Sequence, residues 1–166
     1  GPGLLVTVPR GGSAMVSSIP AEAQRHDVGW PESMGVRLKS ALLNALLVGS
    51  GGFAGAILRY ALGGIVHRQL PLAAFPYGTL CVNLFGCILI GALAGLADSR
   101  QLFAPEVRTF AFIGLLGGFT TFSTFSFETI ALARDGEYLP AAANIGLHVI
   151  LGLTLCWLAY GLTNSR

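Results

Sequence analysis

The sequence predicts an all-α membrane protein of four transmembrane helices, the third of them broken at mid-membrane. Three observations carry this. Of 166 residues, 53% are hydrophobic and only 11% charged, where a soluble domain carries about a quarter charged residues. Four apolar segments, at about 40–62, 77–97, 107–133 and 139–163, each reach the roughly 20 residues that a spanning helix needs. The third segment contains a run of glycines and hydroxyl residues that is poorly suited to a continuous helix.

Residues 1–35 stand apart. They hold Pro2, Pro9, Pro20 and Pro31 among scattered Gly, Ser and charges, the composition of a disordered tail or a non-native extension. No long apolar run follows Arg10, so a signal peptide is not expected. Gly1-Pro2 resembles the scar of a cleaved tag, and Met34, which leads directly into an apolar helix, is a candidate natural start. Residues 36–166 form the expected four-helix transmembrane domain.

The first segment, Ser40 to Leu62, is polar inside only at Asn44 and Ser50. Gly49-Ser50-Gly51-Gly52-Phe53-Ala54 formally matches a dinucleotide-binding fingerprint. It has no strand before it and no acidic residue between Glu32 and Asp98 to hold a ribose. Gly51 and Gly55 form a GxxxG pair, as do Gly91 and Gly95 in the second segment, Tyr77 to Ala97; both predict close helix packing. Thr79 and Asn83 are four apart and share a helix face. The connections, marked by Gln69-Leu70-Pro71, Phe75-Pro76, Asp98 to Gln101 with Pro105, and Arg134 to Glu137, leave no room for an extramembrane domain. The protein must therefore act within the bilayer. Cys81, Cys87 and Cys156 are odd in number, sit in apolar stretches and form no CxxC, so they read as small apolar filler.

The third segment carries the run Gly114 to Glu128, GLLGGFTTFSTFSFE, with a break expected over Gly117 to Thr121. Backbone carbonyls freed at membrane depth need a partner, because lipid offers none. A bound cation, hydroxyls and water are the alternatives. Glu128 is the one carboxylate deep in an apolar segment. An intramembrane ionisable residue usually faces a cavity or a partner. In the fourth segment Asn144 and His148, again four apart, share a face.

The formal charge of +2 is small and scattered, which excludes a nucleic-acid surface. No Walker A loop, HExxH or GxSxG occurs, and no nucleophile–base or metal constellation supports an enzyme. From Met34 onward, one side of the membrane would carry Arg37, Lys39, Arg100, Arg108 and Arg166, and the other Arg59, Arg68 and Arg134. Five against three is a weak bias under the positive-inside rule, and permits both orientations to insert.

Gly52-x-x-Gly55-x-x-x-Arg59-Tyr60, then Gly78-Thr79-Leu80-x-Val82-Asn83-x-x-Gly86, then Gly117 to Phe125 with Glu128 resemble the Fluc (CrcB-type) fluoride channels, from about residue 40 to 163. The resemblance implies a fluoride-selective passive channel in the inner (plasma) membrane that exports fluoride from the cytoplasm and relieves its toxicity. It implies an antiparallel dual-topology dimer with two pores, either a homodimer or a heterodimer with a homologous subunit, surrounded by lipid. It further implies a central structural sodium ion held by backbone carbonyls, here those of Gly117 and Thr120. Phe122 and Phe125 would line the fluoride path. Asn83 with Ser123 or Thr124 would donate hydrogen bonds, Thr79 and Glu128 would belong to the polar track, and Arg59 to the vestibule. Fluc channels often place a tyrosine or hydroxyl residues on the fourth helix; Asn144 and His148 stand at these positions here.

Two other readings compete. Small multidrug exporters also have four short helices, but resemble one another in a first-helix carboxylate that this chain lacks. An assembly subunit of a larger membrane complex would transport nothing by itself.

Overall fold

The computed structural model describes residues 32–70, 75–100 and 103–165. The expected tail over 1–35 lies outside the described residues except at its end, where the first helix already begins. Residues Lys39–Arg166 form one compact unit.

Among the described residues, four helices are long and apolar enough to cross a membrane. They are α1 (Glu32–Gln69), α2 (Tyr77–Arg100), α3 (Pro105–Arg134) and α4 (Tyr138–Asn164). Each outruns its expected segment by one or more residues at one end or both, because polar residues at the membrane surface continue the helix beyond its apolar stretch. No strand occurs among the described residues. Large apolar side chains such as Phe53, Ile113, Ile150, Leu153 and Trp157 point outward. That is unfavourable in water and natural for a surface facing lipid or another subunit.

Glycines set how closely the helices approach. A Cβ on Gly51 would stand 2.6 Å from Phe110 O and 2.9 Å from Gly114 Cα, and one on Gly118 would stand 2.5 Å from Gly52 O and 2.8 Å from Gly52 Cα. The backbones of α1 and α3 therefore touch where glycine meets glycine. Along α2 the second GxxxG pair does the same against α4: a Cβ on Gly91 would lie 3.1 Å from Cys156 Cα, and one on Gly95 2.6 Å from Tyr160 O. Polar ties reinforce this contact, with Thr163 Oγ1 donating to Ala92 O at 3.0 Å and Tyr160 OH to Asp98 Oδ2 at 3.0 Å. The α3–α4 turn closes on Gly136, whose φ of +83° suits glycine.

The break in α3 is narrower than expected. Gly117 remains helical, with φ −63° and ψ −37°, and helix continues through Phe119. Only Thr120 (φ −88°, ψ 157°) and Thr121 (φ −149°, ψ 112°) are extended, and Phe122–Arg134 resumes the helix. Gly114 and Gly118 serve the crossing with α1, and the interruption falls on two β-branched residues, which favour extended backbone. Two π-helical stretches, Thr109–Leu116 and Leu147–Leu151, widen α3 and α4 locally. Such turns are frequent at functional sites.

Candidate functional site

The break is held from α2. Asn83 Oδ1 accepts from the Thr121 backbone N–H at 2.9 Å, and Asn83 Nδ2 donates to Thr121 O at 3.2 Å. One carboxamide thus satisfies both groups of one extended peptide, as a neighbouring strand would. Thr121 then caps the second half of α3: its Oγ1 accepts from Thr124 N–H at 3.3 Å. In an unbroken helix the Thr121 and Thr124 N–H groups would close onto the carbonyls of Gly117 and Thr120. Both donors are diverted, so these two carbonyls lose their helix partners. No group of three or more His, Cys, Asp or Glu that could hold a metal occurs among the described residues.

Hydroxyls gather on the same spot. Thr121 Oγ1 lies 3.2 Å from Ser123 Oγ and 3.0 Å from Thr124 Oγ1. Three hydroxyl hydrogens serve two such contacts, so one remains to donate elsewhere. The hydroxyls of Thr120, Ser126 and Thr129 instead bond back to carbonyls four residues earlier, at 3.1, 2.9 and 2.7 Å. Ser123 and Thr124 are thereby distinguished from their hydroxyl neighbours.

The two phenyl rings differ in environment. Phe125 is 9% exposed and Phe122 80% exposed, with their centroids 5.3 Å apart and their planes at 54°. The His148 ring packs on Phe125 at 4.4 Å. A chain of hydrogen bonds fixes this pair from behind. Thr129 Oγ1 donates to Phe125 O, Asn144 Nδ2 donates to Thr129 Oγ1 at 2.9 Å, and His148 Nδ1 meets Asn144 O at 2.9 Å. Asn144 is wholly buried and lines none of the three cavities around the break; it ties α4 to α3.

Thr79 Oγ1 donates to Glu128 Oε1 at 2.7 Å, and Glu128 Oε2 is buried without a partner. The polar residues therefore form two groups. Asn83, Phe122, Phe125 and His148 share an apolar cavity of about 400 Å³ with Gly117, Thr120 and Thr121. Thr79 and Glu128 face a second cavity of about 420 Å³. A third, of about 610 Å³, joins Thr79, Thr121 and Thr124 to Arg59, His67 and Arg68. Thr121 borders both the first cavity and this basic one, so the break is the wall between them. Thr121 and Thr129 are not singled out in the sequence. A threonine placed to cap a resuming helix is a readable signal for Thr121; the tie from Thr129 to Asn144 has none.

The family model described as CrcB-like protein, Camphor Resistance (CrcB), matches residues 46–160. A protein of Methylobacillus flagellatus named fluoride-specific ion channel FluC is 43% identical over 121 residues, which cover 73% of this chain and 94% of that protein. Its namesake in Shewanella amazonensis is 43% identical over 123 residues, 74% of this chain and 98% of that protein. A third, from Campylobacter jejuni, is 44% identical over 120 residues, 72% and 97% of the two chains.

Proposed function

This chain belongs to the CrcB family, and from that premise we propose that it is a passive, fluoride-selective channel of the inner (plasma) membrane that lets fluoride leave the cytoplasm. It is not an enzyme. The observation that carries this reading is the concentration of donors around the Asn83–Thr121 clamp, beside two phenyl rings. Fluoride is small and strongly hydrated. A selective path must replace its water with N–H and O–H groups in a narrow space. Asn83 keeps a second Nδ2 hydrogen beyond the one given to Thr121, and the hydroxyls of Ser123 and Thr124 hold another. Phenyl edges are electropositive and tolerate an anion that ring faces would repel; Phe122 and Phe125 supply these edges. Arg59 shares a cavity with Arg68, and the two guanidinium groups raise the local anion concentration. Thr79 with Glu128 forms a separate polar station, and Asn144 with His148 backs the path from α4.

The working unit in this reading is an antiparallel pair of subunits built from residues 36–166. A bare Phe122 ring beside a cavity is what a second subunit would cover, and the near-even charge allows either orientation. A sodium ion held by the carbonyls of Gly117 and Thr120 fits the break, since carbonyl dipoles replace the water of such a cation. It would supply fixed positive charge and cohesion between subunits.

Fluoride efflux from vesicles containing only the purified protein, with chloride as the control, tests the proposal. Fluoride should leave rapidly and chloride should not. Absence of flux at verified incorporation would favour an assembly subunit.

A further inference from the structure

The orientation of His148 follows from its partner. Its Nδ1 lies 2.9 Å from the backbone carbonyl of Asn144. A carbonyl only accepts, so Nδ1 must carry the hydrogen. In the neutral imidazole Nε2 then holds a lone pair. That atom is buried, has no partner, and belongs to the side chain that shares a cavity with Asn83, Phe122 and Phe125. A lone pair offered to an anion is repulsive. One proton reverses this: Nε2 becomes a donor and the ring gains a positive charge, while the Nδ1 bond to Asn144 survives unchanged.

We propose that His148 is a ligand of the fluoride path whose protonation switches it from an anion barrier to an anion donor, so that conduction rises as pH falls. The inference rests on the fluoride-channel reading above. The surroundings leave His148 as the group that responds. Among the described residues lining the cavity, α2 contributes Cys87 as its one titratable side chain, and α3 and the remainder of α4 contribute none. Glu128, one turn beyond Phe125, faces the other cavity with Thr79. The ring contact with Phe125 and the hydrogen bond to Asn144 hold the imidazole in place through either charge state.

The test is fluoride current across a planar bilayer holding the full chain, with both chambers brought together from about pH 8 to about pH 5, the range in which histidine changes charge. Current is the readout because neutral hydrogen fluoride crosses lipid without carrying any. Wild-type current should rise several-fold toward acid. His148→Gln should be flat over the same range, as should the smaller His148→Ser. Cys87→Ala should keep the rise. A flat wild-type profile, a rise that persists in either His148 variant, or a rise lost with Cys87→Ala would each overturn the assignment. Absence of fluoride current at every pH would instead overturn the channel reading itself.

Discussion

Asn83 and Thr121 meet as two peptide edges do: the asparagine carboxamide accepts from the threonine N–H at 2.9 Å and donates to its carbonyl at 3.2 Å. This pairing lets an extended dipeptide exist where the surrounding medium offers no hydrogen bonds. It also leaves one amide hydrogen for an ion. In the channel proposed above, structure and conduction would thus depend on the same side chain.

Asn83→Ala should therefore lose stability as well as flux. It strands a donor and an acceptor together, a cost on the order of 2–6 kcal/mol for the two. Asn83→Asp separates the contributions, since a carboxylate still accepts from Thr121 N–H but cannot donate to Thr121 O or to fluoride. Thermal unfolding in detergent should place both variants below wild type, because the second carboxylate oxygen of Asn83→Asp faces the Thr121 carbonyl, with flux abolished in both.

Gly118→Ala should force α1 and α3 apart. The added Cβ would stand 2.5 Å from Gly52 O and 2.8 Å from Gly52 Cα, and backbone cannot rotate aside as a side chain can. Overpacking of this kind costs about 1–3 kcal/mol. Gly146→Ala, where nothing lies within 4 Å of the new atom, is the matched control and should leave the melting temperature near wild type or higher.

The Thr79–Glu128 bond, 2.7 Å from hydroxyl to carboxylate, predicts a contrast between two threonine replacements. Thr79→Ser keeps the donor and should keep most of the flux. Thr79→Val keeps the shape, leaves both carboxylate oxygens without a partner, and should cut fluoride efflux at least about tenfold, the rate equivalent of a lost hydrogen bond of about 1.4 kcal/mol. Equal rates in the two variants would remove Thr79 from the polar track.

The four spans and both GxxxG contacts were legible because apolar runs and small residues act through local spacing. Gly51 with Gly55, and Gly91 with Gly95, face the backbones of α3 and α4 as that spacing implies. The position of the break was less legible. Glycines weaken a helix in general, yet Gly117 and Gly118 stay helical, Gly118 lying where the α1 backbone at Gly52 leaves no room for a side chain, and the interruption falls on Thr120 and Thr121. The α4 network was hidden for another reason. Asn144 and His148 share a face by their spacing, but Thr129 joins Asn144 only through the packing of two helices, and no pattern along either helix encodes that meeting.

Phe122 and Phe125 should respond differently to isoleucine. Phe122 is 80% exposed within the subunit and Phe125 9%, so Phe122→Ile should leave the subunit's melting temperature almost unchanged while Phe125→Ile lowers it. Both should reduce fluoride flux, because isoleucine keeps apolar bulk and loses the electropositive ring edge. Wild-type flux in both, at equal protein, would remove the aromatic edges from the mechanism.

The sodium ion proposed at the break predicts that its removal loosens the proposed subunit pair without reversing transport. The carbonyls of Gly117 and Thr120 lose their helix donors because Thr121 N–H goes to Asn83 and Thr124 N–H to Thr121 Oγ1. A cation bound there stabilises whichever state presents those carbonyls, and the stabilisation grows with its concentration above the dissociation constant. Exchange of sodium for a large organic cation should lower the melting temperature and increase the monomer fraction in detergent, and sodium should restore both. Fluoride should still move down its own gradient whichever way a sodium gradient points, because a cation held as part of the framework does not turn over with each ion conducted. Uphill fluoride movement driven by a sodium gradient would replace the passive channel with a coupled transporter.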